Sequence, residues 1–154
     1  MPVDNRKWVE YPDDKSAQSI GKHTIRRGIF VHKGNWEDAE VLKNAQSFNS
    51  PLRVAQIGRQ QGSLPCLKSF IEITGRNLVL SAFKKAEGSD SVIVRLYNPA
   101  SENIKGKLTF DSDIRSAQYV DLNEKNIESI EPDNKRTIKL TVASKKIISI
   151  KVDL

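Results

Sequence analysis

The chain has 154 residues, 38% of them hydrophobic and 29% charged, and its 25 Lys+Arg against 19 Asp+Glu give a formal net charge of +6. That length suits one domain, or two small subdomains sharing a core. No apolar run approaches the roughly 18 residues that cross a bilayer, and the one cysteine, Cys66, excludes an internal disulfide framework. The opening Met-Pro-Val-Asp-Asn-Arg-Lys has no apolar stretch behind its basic residues, so no secretory signal is expected. The reading is a cytoplasmic globular protein with no membrane partner. The sequence pI of 9.5 is that of many nucleic-acid binders. However, the basic residues fall singly or in pairs (Arg26-Arg27, Lys84-Lys85, Lys135-Arg136, Lys145-Lys146) among acids. Aromatics, at 6%, are too sparse for a stacking platform. No nucleic-acid partner is expected.

In chain order, residues 1–21 mix Pro, Asp, Ser, Gln and Gly and read as an extended lead-in, with Trp8-Val9 and Tyr11 suited to a short strand or staple. Ile25 to His32 is rich in β-branched and aromatic residues, which predicts a strand. Gly34 ends it, Asn35 offers an N-cap, and Glu37 and Asp38 suit a first helical turn. Trp36, Ala39, Leu42, Ala45 and Phe48 then recur every three residues, which predicts one short amphipathic helix over about 36–48 with its stripe facing the core. Pro51 stops it.

From Leu52 onward the text is β. Leu52 to Ile57 alternates weakly, and Gly58 to Pro65 reads as a loop or joint. The later runs are Phe70–Ile73, Leu78–Phe83, Val92–Tyr97, Ile104–Phe110, Ile114–Val120, Arg136–Val142 and Lys146–Val152. Turn residues at 87–90, 98–101, 111–113 and 132–134 separate most of them. Short strands at this spacing without intervening helices predict an all-β fold, an antiparallel β-sandwich. The organisation expected is lead-in 1–21, a strand–helix–strand segment 22–67, and a C-terminal sandwich 68–154.

Chemistry is hard to find. His23, His32 and Cys66 form no compact metal-ligand or nucleophile motif. Glu72, Asp111, Asp113 and Asp121 could in principle pair as a glycosidase acid and base, but no spacing singles out two of them. Trp8, Trp36, Tyr97 and Tyr119 are the candidates for stacking on sugar rings if the chain is a stand-alone carbohydrate-binding sandwich. No glycine run cradles phosphate. No residue is assigned a catalytic, cofactor-binding or metal-binding role.

Phe30-Val31-His32-Lys33-Gly34-Asn35-Trp36, the helix after it, and Phe48-Asn49-Ser50-Pro51-Leu52 together resemble a segment of the family-38 glycoside hydrolases, the α-mannosidase family. Asn35 stands where that family has an aspartate-like residue. Phe70-Ile71-Glu72-Ile73, the block Asn77 to Glu87, Val94-Arg95-Leu96-Tyr97-Asn98-Pro99 and Val120-Asp121-Leu122-Asn123-Glu124-Lys125 resemble the family's C-terminal β region, with Leu78 to Pro99 the most specific part. On this resemblance, 22–67 corresponds to the end of the central β-domain. Members are several times longer and carry a retaining catalytic domain with zinc and an aspartate nucleophile, whose residues have no counterpart here. The resemblance therefore implies a part that is inactive alone, without a cofactor of its own, zinc belonging to the parent's catalytic domain. Its partners would be that catalytic domain, in the same or a separate chain, and mannose-containing carbohydrate. A docked part should expose apolar surface when isolated, here at Ile29, Val31, Leu64 and Leu67, and so self-associate.

Overall fold

The computed structural model describes residues 19–154, so the strand or staple expected at Trp8-Val9 and Tyr11, and most of the lead-in, lie outside the described residues. One helix, α1 (Val41–Asn49), precedes eight strands: β1 (Ile71–Thr74), β2 (Val79–Lys85), β3 (Val92–Tyr97), β4 (Ile104–Phe110), β5 (Ser116–Val120), β6 (Asn126–Ser129), β7 (Thr137–Val142) and β8 (Ile147–Asp153). They form a three-stranded sheet, β1-β4-β7, and a five-stranded sheet, β2-β3-β8-β5-β6, with every pairing antiparallel. The all-β antiparallel sandwich with one short helix expected from the alternation is the architecture observed.

Period-two alternation builds the core. Leu108 and Phe110 of β4 and Ile138, Leu140 and Val142 of β7 point inward from the smaller sheet. Val94 and Leu96 of β3, Ala117 of β5, and Ile150 and Val152 of β8 meet them from the larger one. Register fixes this facing: Leu108 pairs with Ile138, and Val94 with Ile150. Each fully buried Ile, Leu, Val or Phe contributes about 1.5–3 kcal/mol, so this layer dominates the stability. The smaller sheet requires a glycine at Gly106, where a Cβ would lie 2.4 Å from the Thr74 carbonyl oxygen.

The larger sheet is also buried on part of its outer face. Ile93 and Val120 form a second cluster with Ala86. The β5–β6 connection, residues 121–125, crosses this face.

Three expectations need correction. Ile25–His32 is not a strand: it has no ladder partner among the described residues, and Ile29 is 95% exposed. Leu52–Ile57 likewise forms no strand, with Leu52 97% exposed. β-branched residues favour extension, but a strand exists only where a neighbour takes up its N–H and C=O groups. The helix begins at Val41, not near 36, because residues 36–40 form hydrogen-bonded turns that end in the left-handed conformation at Glu40 (φ 50°).

The stripe is not core either. No residue of α1 is buried, and Trp36 and Phe48 are each 38% exposed. The two sheets already close their core on each other, leaving the helix an edge position. Phe48 instead packs over Gly28, with the Arg26 guanidinium 5.0 Å from its ring centre. Strand β6 went unforeseen, since Asn126-Ile127-Glu128-Ser129 is exposed throughout and carries no alternation to reveal it.

Candidate functional site

The residues able to hold a metal or act as nucleophiles do not converge. His23, His32 and Cys66 are all exposed. His23 Nε2 contacts the Ser19 carbonyl oxygen, and His32 stacks on Phe30 with ring centres 5.8 Å apart. Among the described residues no three His, Cys, Asp or Glu side chains are placed to share an ion. A zinc site needs three or four such donors, which the described residues do not bring together.

The carboxylates are engaged elsewhere. Asp111 pairs with Lys68 at 2.5 Å. Asp113 accepts from Arg136 Nε at 2.7 Å, and that hydrogen bond holds its carboxyl below the usual carboxylate range. Asp121 Oδ1 accepts the backbone N–H groups of Asn123 and Lys125 at 2.8 and 2.9 Å, closing its own turn. Glu72 stands exposed on β1. A glycosidase acid needs a carboxyl kept protonated by its surroundings, the reverse of what Arg136 does to Asp113.

Of the aromatic candidates, Trp36 lies under the Lys145 ammonium, 5.5 Å from the ring centre. Tyr97 is half-buried, opposite Val79 and Ile147. Tyr119 packs against the core, where burial, followed by the nearby Glu128 charge, raises its phenol pKa.

Two motifs behind the family resemblance build local structure. Asn98 is buried, and its Nδ2 donates to the carbonyl oxygens of Glu102 (2.7 Å), Val142 (3.0 Å) and Ala143 (3.1 Å). Its Oδ1 accepts from Ala100 N–H at 2.8 Å. One amide thus ties the β3–β4 turn to the β7–β8 turn. The turn beginning at Asp121 forms a latch: Glu124 accepts from Lys84 Nζ at 2.6 Å and from Glu87 N–H at 2.7 Å. The Lys84 bond lowers the Glu124 pKa, and the reciprocal bond raises that of Lys84. Arg95 supports the same loop, donating to Ser149 Oγ at 2.9 Å and reaching the Leu122 carbonyl oxygen at 3.5 Å.

The junction between the helical segment and the sandwich is polar. Asn35 Oδ1 accepts from Asp38 N–H at 2.8 Å, so Asn35 caps the 36–40 turns rather than α1. Glu37 and Asp38, expected in a first helical turn, are tertiary anchors instead. Glu37 Oε1 accepts from Ser101 N–H and Oγ at 3.1 and 3.2 Å, and its carbonyl accepts from Asn77 Nδ2 at 2.9 Å. Arg76 donates to the Asp38 carbonyl oxygen at 2.5 Å, and Gln46 Nε2 to that of Leu80 at 3.0 Å. Sequence spacing could not find Glu37, whose partner lies 64 positions away.

Beyond this junction, the preceding segment carries a concentration of exposed apolar side chains. They include Ile25, Ile29, Val31, Val54, Leu64 and Leu67. The four residues expected to be exposed, Ile29, Val31, Leu64 and Leu67, are all among the exposed ones.

Comparison with known proteins finds similarity over the sandwich. Residues 77–150 match the glycosyl hydrolases family 38 C-terminal beta sandwich domain. Alpha-mannosidase G of Dictyostelium discoideum is 29% identical over 101 residues, covering 65% of this chain and 9% of that relative. The chain thus spans a small fraction of the relative's length. The matched range begins beside β2 and ends within β8, taking in Asn98 and the Asp121–Glu124 latch. Residues 77–150 of this chain are thus similar to the C-terminal β-sandwich domain of the family-38 glycosyl hydrolases.

Proposed function

We propose that this chain is the non-catalytic C-terminal portion of an α-mannosidase-like glycoside hydrolase. It supports a retaining, zinc-bearing catalytic domain that lies in the same or a separate cytoplasmic chain, and its loops contribute to holding mannose-containing carbohydrate. The observation carrying this reading is the split between a closed sandwich and an open segment. Residues 68–154 bury a core, while the stretch before them exposes Ile25, Ile29, Val31, Leu52, Val54 and Ile57. So many exposed large apolar side chains in one segment suit an interface, and the similarity to a mannosidase supports such an enzyme as what the segment meets.

Assay of the 154-residue chain on an aryl α-mannoside with added zinc tests the reading. No turnover is expected, and robust turnover abolished by a chelator would contradict it. In the same test, adding the chain to a family-38 catalytic region should raise that region's melting temperature. Tryptophan fluorescence with mannose oligomers separates the rival reading, a stand-alone sugar binder, which requires saturable quenching by the chain alone.

A further inference from the structure

The exposed face of the three-stranded sheet carries a feature that sandwich packing does not require. Strand alternation puts Leu108, Ile138 and Leu140 inward, so Lys105 and Lys107 of β4 and Lys139 of β7 point outward. Lys107 stands directly opposite Lys139 in the register, and Lys105 opposite Thr141. Directly opposed side chains have Cβ atoms about 4.5–5.5 Å apart, and like charges there destabilise the pair. A threonine or glutamate at either position would remove that cost. Lys139 is bridged to Asp133, but Lys105 and Lys107 have no acidic partner among the described residues. Glu72, on the neighbouring β1, faces Thr109 rather than either lysine.

The three lysines line an open depression of about 580 Å³. Thr74, Thr141 and Tyr119 line it with them. Gly106 and Leu140, at positions that alternate with the lysines, line it from the core side of the strands. The volume falls within the range of small-ligand sites, about 300–1,000 Å³. Ammonium donors suit phosphate or carboxylate oxygens as point charges, and the Thr74 and Thr141 hydroxyls suit the hydroxyl groups of a sugar.

We propose that this depression binds a saccharide bearing an anionic group, phosphate or carboxylate, with Lys105, Lys107 and Lys139 holding the anion. Choosing a sugar as carrier rests on the family-38 reading; the choice of an anion rests on the lysines alone. A nucleic acid is disfavoured because three lysines and one half-buried tyrosine give neither a backbone-length track nor a stacking row.

The test is amide-resolved NMR titration of the full 154-residue chain with mannose 6-phosphate, glucuronate, mannose, inorganic phosphate and a single-stranded oligonucleotide. Mannose 6-phosphate or glucuronate should shift the amides of Thr74, Lys107, Lys139 and Thr141 saturably, and 0.5 M NaCl should abolish the effect. Which of the two binds more tightly identifies the anion. The double variant Lys105→Ala/Lys107→Ala should weaken binding about tenfold or more, the scale of losing one charge-assisted hydrogen bond. Lys125→Ala/Lys146→Ala, with the same change in charge elsewhere, should leave it within about twofold. Because the altered side chains are exposed, an unchanged amide spectrum away from β4 and β7 verifies the fold of each variant. Inorganic phosphate matching the sugar phosphate overturns the saccharide assignment while leaving the family reading intact. Equal binding of plain mannose, shifts scattered over all the lysines, or preference for the oligonucleotide overturns the site itself.

Discussion

Ile93 and Ile29 carry the same side chain, yet one is fully buried and the other 95% exposed; Val94 and Val54 divide the same way, at 0% and 96%. The difference lies in their neighbours. Val94 sits on a strand laddered to both β2 and β8, opposite Phe83 and Ile150, and the smaller sheet closes over it. Val54 belongs to an extended segment with no ladder partner among the described residues. The 68–154 region is complete in itself, whereas 19–67 is tethered by a handful of hydrogen bonds, each worth only about 0.5–1.5 kcal/mol net. A β-rich sequence therefore specifies a strand only together with whatever receives it.

This contrast breaks most sharply under truncation of apolar side chains. Ile138→Ala, at a fully buried β7 position, should cost about 2–5 kcal/mol in urea unfolding. Leu52→Ala, at a solvent-exposed one, should stay within about 0.5 kcal/mol. Equal losses would mean that the segment is packed after all.

Asn98→Ala comes next. It removes donors to three carbonyl oxygens and the acceptor for Ala100 N–H, so about 2–3 kcal/mol should be lost. Retained stability in thermal melts would show that water replaces the amide. Gly106→Ala should cost about 1–3 kcal/mol, since the new methyl meets the Thr74 carbonyl and Leu78, and broadened amides should appear along β1.

The smallest effect sharpens the account of the latch and depends on pH. The Glu124 pKa is lowered mainly by Lys84, so its contribution is present above the ordinary carboxylate range and is lost as pH falls through the depressed value. The raised Lys84 pKa gives the mirror case: its contribution is present below the ordinary lysine range and is lost as pH climbs through the raised value. Glu124→Gln should flatten the acid side of the stability–pH curve. An unaltered curve would remove the latch from the account.

Much of the sandwich was legible in the sequence because alternation and burial coincide there. Val92–Tyr97 and Ile104–Phe110 are strands over the very residues where period two appears. Strand β6 was illegible because all four of its residues face solvent. The strand expected at Ile25–His32 failed because composition reports a tendency to extend and says nothing of a partner. The helix began five residues late because Glu37 and Asp38 bond to Ser101 and Arg76, tertiary partners that compete with helical caps. At the site level, the family resemblance located Asn98 and Glu124, but only the structure gave them work: both fasten loops.

Backbone amide hydrogen exchange tests the central claim most directly, measured on the 154-residue chain alone and again in the presence of a family-38 catalytic region. The account predicts strong protection of β3, β4, β7 and β8 in both states, with 19–34 and 51–67 exchanging near free-peptide rates alone and slowing sharply in the complex. Protection of 19–34 and 51–67 in the isolated chain, or none in either state, would contradict it.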